Sequence, residues 1–128
     1  MIKKRILNSD RIRRITGGFS FIPHRFLTDG FLASLRQDEL LLYLFLVIVS
    51  DRNGLSYYSY DAICSLLQMG LDQYIDARNA LMDKDLIVFD GTVYQVLELP
   101  SNPVLPATGK QADSVAISRL IDQSLKRV

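Results

Sequence analysis

YSYDAICSLLQMGLDQYIDARNALMDKDLIVFDGTVYQV, residues 58 to 96, is the stretch that decides the fold. Ser59 and Asp61 carry short oxygen acceptors that satisfy the free N–H groups of a helix start, so they open a helix predicted from about Tyr60 to Gln68. Its inner face is Ala62, Ile63, Leu66 and Leu67. Gly70 breaks that helix and supplies the turn. A second helix is predicted over Asp72 to Lys84. Leu71, Ile75, Ala77, Leu81 and Met82 are expected to point inward, and Asp72, Gln73, Tyr74, Asp76 and Asn79 to lie on the outer face with Arg78 beside them. The β-rich runs Leu86 to Phe89 and Thr92 to Leu99 flank Asp90-Gly91, a pair suited to the positive φ angles of a two-residue type I′ hairpin.

Working outward, Leu55 to Tyr57 reads as a short strand, and Arg52-Asn53-Gly54 ends a longer helix that begins near Gln37 and runs to about Ser50. Thr28 or Asp29 is placed to cap a short helix through Leu35. From Leu40 to Val49 every residue is apolar, so this helix must be covered on all sides. A domain this small has difficulty covering it with one copy, which predicts a homodimer through Leu40 to Val49. The chain divides into a basic arm (1–18) closed by Gly17-Gly18, a folded body (19–99), a Pro-rich linker (100–110) and an amphipathic helix (111–128) carrying Ile117, Leu120, Ile121 and Leu125. Ile2, Ile6, Ile12 and Ile15 fit one side of a helix in the arm, or an arm that orders only on binding. The fold class expected is mainly α with a small β-hairpin.

With these residues in place, the stretch resembles a winged helix-turn-helix domain, over roughly residues 36 to 99. The layout of basic arm, helical segment, linker and terminal helix is loosely similar to the N-terminal domains of DnaD-type and plasmid replication-initiation proteins. The resemblance implies a role in replication initiation, transcription control or mobile-element maintenance. It also implies that the second helix of the pair reads the major groove while the wing approaches the backbone. Gln73 and Asn79 match positions that suit bidentate contact with adenine, and Arg78 suits guanine or phosphate.

Charge runs against a simple version of that picture. The 128 residues carry a net charge of +1, unevenly spread. Lys3, Lys4, Arg5, Arg11, Arg13 and Arg14 stand against Asp10 alone in the arm, whereas residues 15–109 hold five cations against eleven carboxylates. Between Gly70 and Gly91, Arg78 and Lys84 face five aspartates, and the hairpin tip has no cation. Phosphate neutralisation supplies most nonspecific affinity, so the six arm cations are the expected source of DNA contact, along the backbone or in a minor groove. The competing expectation is a protein-interaction module that never touches DNA. Its apolar helix and the acidic stripe Asp72, Asp76, Asn79, Asp83 would then be the working surfaces, the stripe docking a basic partner such as another subunit's arm.

Other signals point away from chemistry. No nucleophile, base and oxyanion set can be assembled, so no enzyme, catalytic residue or cofactor is expected. One cysteine and one histidine exclude multi-cysteine and histidine-rich metal sites, and the cysteine usage fits a reducing, cytoplasmic setting. Cys64 is expected in the core, and His24 in a hydrogen-bonding role. Tyr57, Tyr58 and Tyr60 have the shape to stack on bases of a single strand, but Asp61 is their nearest charge, so packing around the strand-to-helix corner is expected instead. Leu105 to Gly109 reads LPATG, similar to a sortase signal but followed by a polar tail, and Gly109-Lys110 lacks the rest of a P-loop. The apolar run is only ten residues long, against about 18 for a spanning helix, and the basic start is not followed by a secretory apolar region.

Overall fold

The computed structural model describes residues 2–104. Its elements are α1 (Arg25–Thr28), α2 (Gln37–Val49), β1 (Leu55–Ser56), α3 (Tyr60–Leu67), α4 (Leu71–Asp83), β2 (Ile87–Phe89) and β3 (Tyr94–Val96). Four helices thus surround one small antiparallel sheet of order β1-β3-β2. In its register Ser56 faces Tyr94, and Phe89 faces Tyr94 from the other side. The predicted terminal helix, most of the linker and the LPATG segment lie outside the described residues.

Local chemistry sets each boundary. Ser59 Oγ accepts from Ala62 N at 3.3 Å and starts α3. Gln68, with φ 53°, ends it, and Met69 N reaches back to Cys64 O at 3.1 Å. Gly70 was expected to make this turn, but its φ is −72° and it serves as the N-cap of α4; the left-handed step falls on Gln68, two residues earlier. Asp85, at φ 61°, ends α4 in the same way, with Leu86 N donating to Leu81 O at 3.1 Å. Between α2 and β1, Asp51 Oδ1 accepts from Asn53 N and Leu55 N, both at 2.9 Å.

Two local expectations are corrected. The β2–β3 connection is not a two-residue type I′ turn, since Gly91 has a positive φ and Asp90 does not. The loop spans residues 90–93, where the Asp90 carboxylate accepts from Thr92 N (2.8 Å) and Val93 N (2.7 Å), adding a side-chain turn to the backbone bond from Asp90 N to Val93 O (3.3 Å). The short helix before Leu35 is likewise divided. Thr28 lies inside α1 and Asp29 closes it, Gly30 turns at φ 91°, and a separate 3-10 turn covers Leu32–Ser34.

The core joins α2, α4 and the sheet. Leu42, Leu46, Ile63, Ala77, Leu81, Leu86 and Ile87 are buried there, and Phe26 stacks between Phe31 and Tyr43 at ring separations of 6.4 and 5.0 Å. One charged group is buried with them. Glu39 in α2 meets Lys84 Nζ at 2.5 Å and Arg36 Nε at 2.9 Å, and Lys84 also donates to Ser34 O at 2.8 Å. Arg25 closes the far end, donating to the carbonyls of Leu99, Pro100 and Ser101 while lying 5.4 Å from the Phe31 ring centre.

Candidate nucleic-acid interface

The arm stands clear of the body. Lys3, Lys4, Arg5, Arg11, Arg13 and Arg14 are all exposed, and none forms an ion pair with a described carboxylate. A single 3-10 turn, Ser9–Arg11, is its only regular element among the described residues, started by Asn8 Oδ1 accepting from Asp10 N at 3.0 Å. The four isoleucines do not form a helical face there, and all are exposed. Ser20 Oγ donates to Ile48 O at 3.2 Å, so the chain following the arm is tied to the end of α2.

On α4 the three base-reading candidates are present but already engaged. Gln73 Oε1 turns back to accept from Gly70 N at 3.1 Å, satisfying a free donor at the helix start. Arg78 donates through Nε and Nη2 to Asn79 Oδ1 at 3.3 and 3.2 Å, which brings those two side chains together and leaves Gln73 apart. Asp72, Asp76, Asn79 and Asp83 are exposed as an acidic stripe, and none of the aspartates among them is ion-paired with a described cation.

Tyr74 departs from the expected outer face. It is 2% exposed, and its hydroxyl pairs with that of Tyr94. The signal was in the spacing: Tyr74, Ala77 and Leu81 recur at i, i+3 and i+7 and form the buried stripe of α4. Turning the helix that way brings Leu71 and Met82 to the surface, although both were expected inside. Leu66 of α3 is exposed as well, because the short α3 buries only Ile63 fully.

Beside α4 lies a groove of about 480 Å³, walled by the segment before α3 on one side and the β2–β3 hairpin on the other. Tyr57, Tyr58, Tyr60, Leu71, Arg78 and Phe89 line it, and no carboxylate does. The Arg78 guanidinium lies 5.3 Å from the centre of the Phe89 ring and 5.5 Å from that of Tyr74. Phe89 stacks in turn on Tyr94 at 4.2 Å. The tyrosines were expected to pack at this corner. Only Tyr58 does so, edge-on against Phe45 at 5.3 Å, while Tyr57 and Tyr60 remain 72% and 52% exposed.

Burial and the hydrogen bond with Tyr74 hold the Tyr94 hydroxyl neutral well above the usual tyrosine range. The backbone N–H groups of Val93 and Thr92 hold the Asp90 carboxyl below its ordinary range. Cys64 is half-buried against the core, and His24 sits exposed at the start of α1. Among the described residues no group of three histidine, cysteine or carboxylate side chains is placed to hold a metal ion, and no helix is long and apolar enough to cross a membrane. Neither a scan of protein-family models nor comparison with curated proteins and solved structures gives a match to this chain.

Proposed function

We propose that this is a non-enzymatic DNA-binding protein in which a winged helix-turn-helix body carries a basic arm that supplies the affinity. The sheet order β1-β3-β2, with α3 and α4 between β1 and the hairpin, supports the winged-helix reading. The observation that carries the functional reading is the arm: six exposed cations without an ion-pair partner among the described residues, ahead of a body whose α4 surface is acidic. Unpaired cations on an extended chain release counterions on meeting phosphates, whereas an aspartate-bearing helix pays repulsion there. Gln73, Arg78 and Asn79 are then secondary contacts, available after their internal hydrogen bonds are exchanged for bases. The processes this fits are replication initiation, transcription control or mobile-element maintenance in the cytoplasm.

The test is anisotropy of a labelled duplex with the full chain and with a chain lacking residues 1–16, at two salt concentrations. Binding by the full chain that weakens with salt and is lost on truncation supports the reading. Equal binding by both chains would show that the body supplies the affinity and would overturn the assignment to the arm. A second reading, a protein-interaction module, is favoured by one observation: Leu41 and Ile48 remain 43% and 70% exposed on α2, with half-buried Leu44 and Phe45 between them. Self-association without any DNA binding at low salt would select it.

A further inference from the structure

The groove beside α4 has a composition that the rest of the body does not share. Residues 15–109 carry more than two carboxylates for each cation, yet the groove is lined by one guanidinium, aromatic rings and no carboxylate. Arg78 forms no ion pair among the described residues. Its Nε and Nη2 are directed to Asn79, so Nη1 keeps its donors for a ligand. The rings of Tyr57 and Tyr60 are largely open to water, although the fold buries Tyr43, Tyr74 and Tyr94 completely. A cation and exposed flat rings lining one groove complement a ligand with flat apolar faces joined by anions at short intervals.

We infer that this groove binds a single strand of DNA, with bases stacked on Tyr57 and Tyr60 and a phosphate on Arg78. A duplex cannot satisfy the same groove, because its bases are already stacked on one another and offer only their edges. The inference deepens the DNA-binding reading and rests on it, but, Arg78 apart, it uses different residues: the six arm cations contact phosphates, and Tyr57 and Tyr60 contact base faces. The two are therefore separable.

The experiment compares the full chain with Tyr57→Ala/Tyr60→Ala and with Arg78→Gln. All are titrated with a 16-mer of thymidine, an abasic 16-mer with the same phosphates, and a duplex. Tyrosine emission reports stacking directly, since the chain has six tyrosines and no tryptophan. The expected result is quenching by the thymidine strand and affinity about tenfold or more above the abasic strand. The double tyrosine variant should bring the two strands within about twofold of each other while leaving duplex affinity unchanged. Arg78→Gln should weaken the thymidine strand and lower its salt slope by about 0.7. Duplex binding combined with equal affinity for the thymidine and abasic strands overturns the groove and leaves the arm reading standing. Binding of none of the three overturns both.

Discussion

Glu39 and Lys84 join α2 to α4 by a single ion pair, with 3% and 15% of their side chains exposed. Removing Glu39 leaves the mostly buried Lys84 ammonium without its counter-charge and with only the Ser34 carbonyl as partner, which costs more than the pair itself contributes. Glu39→Ala is therefore expected to lower unfolding free energy by about 3 kcal/mol or more in urea titration, and a Glu39→Ala/Lys84→Met chain to recover part of it. Gly54 is a second position fixed by its surroundings. Its φ is 84°, and a Cβ there would stand 2.4 Å from Val96 O, the strand that Gly54 O itself pairs with at 2.8 Å through Val96 N. Gly54→Ala should cost at least about 2 kcal/mol, read from the same titration, because left-handed strain and a backbone clash act together. Glycine at 54 is readable in the sequence as a turn; its contact with β3 is not, since 42 residues separate the two partners.

At the scale of elements, the β2–β3 hairpin is held by the Asp90 carboxylate, and its stability depends on that group's charge. The folded Asp90 binds its proton less readily than the ordinary value of 3.8, so its contribution is present above that value and is lost as pH falls through the lower folded pKa. Amide exchange at Thr92 and Val93 is expected to lose protection as the solution is acidified below about pH 4, and Asp90→Ala should remove that pH dependence. The turn was legible as a turn because Asp-Gly is turn chemistry. Its type was not, because the sequence does not say whether aspartate contributes a backbone angle or a side-chain acceptor. The same limit applies to α4. A helix with apolar residues on several sides has more than one plausible inner face, and the stripe Tyr74, Ala77, Leu81 was chosen by the partner it meets, Tyr94 of β3.

For the whole molecule the predictions concern association. On α2 the exposed Leu41 and Ile48, with half-buried Leu44 and Phe45 between them, form a stripe that continues past what the body covers. Light scattering is expected to show a dimer for the full chain and a monomer for Leu41→Glu/Ile48→Glu with its thermal melt retained, since both positions are already open to water. A monomeric parent chain would remove the stripe from the argument. The arm belongs to the same scale. The six exposed arm cations predict a logarithmic salt slope for duplex binding of up to roughly five, which should fall by about one for each arginine replaced by glutamine.

What was legible along the chain was local: two helices with a turn between them and an Asp-Gly connection within residues 58 to 96, and, ahead of that stretch, an apolar helix and a basic arm. These follow from spacing, capping oxygens and charge, which act over a few residues and need no distant partner. Tertiary structure decided which faces turned inward, where the left-handed residues fell, and that Tyr57, Tyr60, Arg78 and Phe89 surround one groove. The physical reason is that close packing between segments far apart in sequence selects among faces that local preference leaves nearly equal.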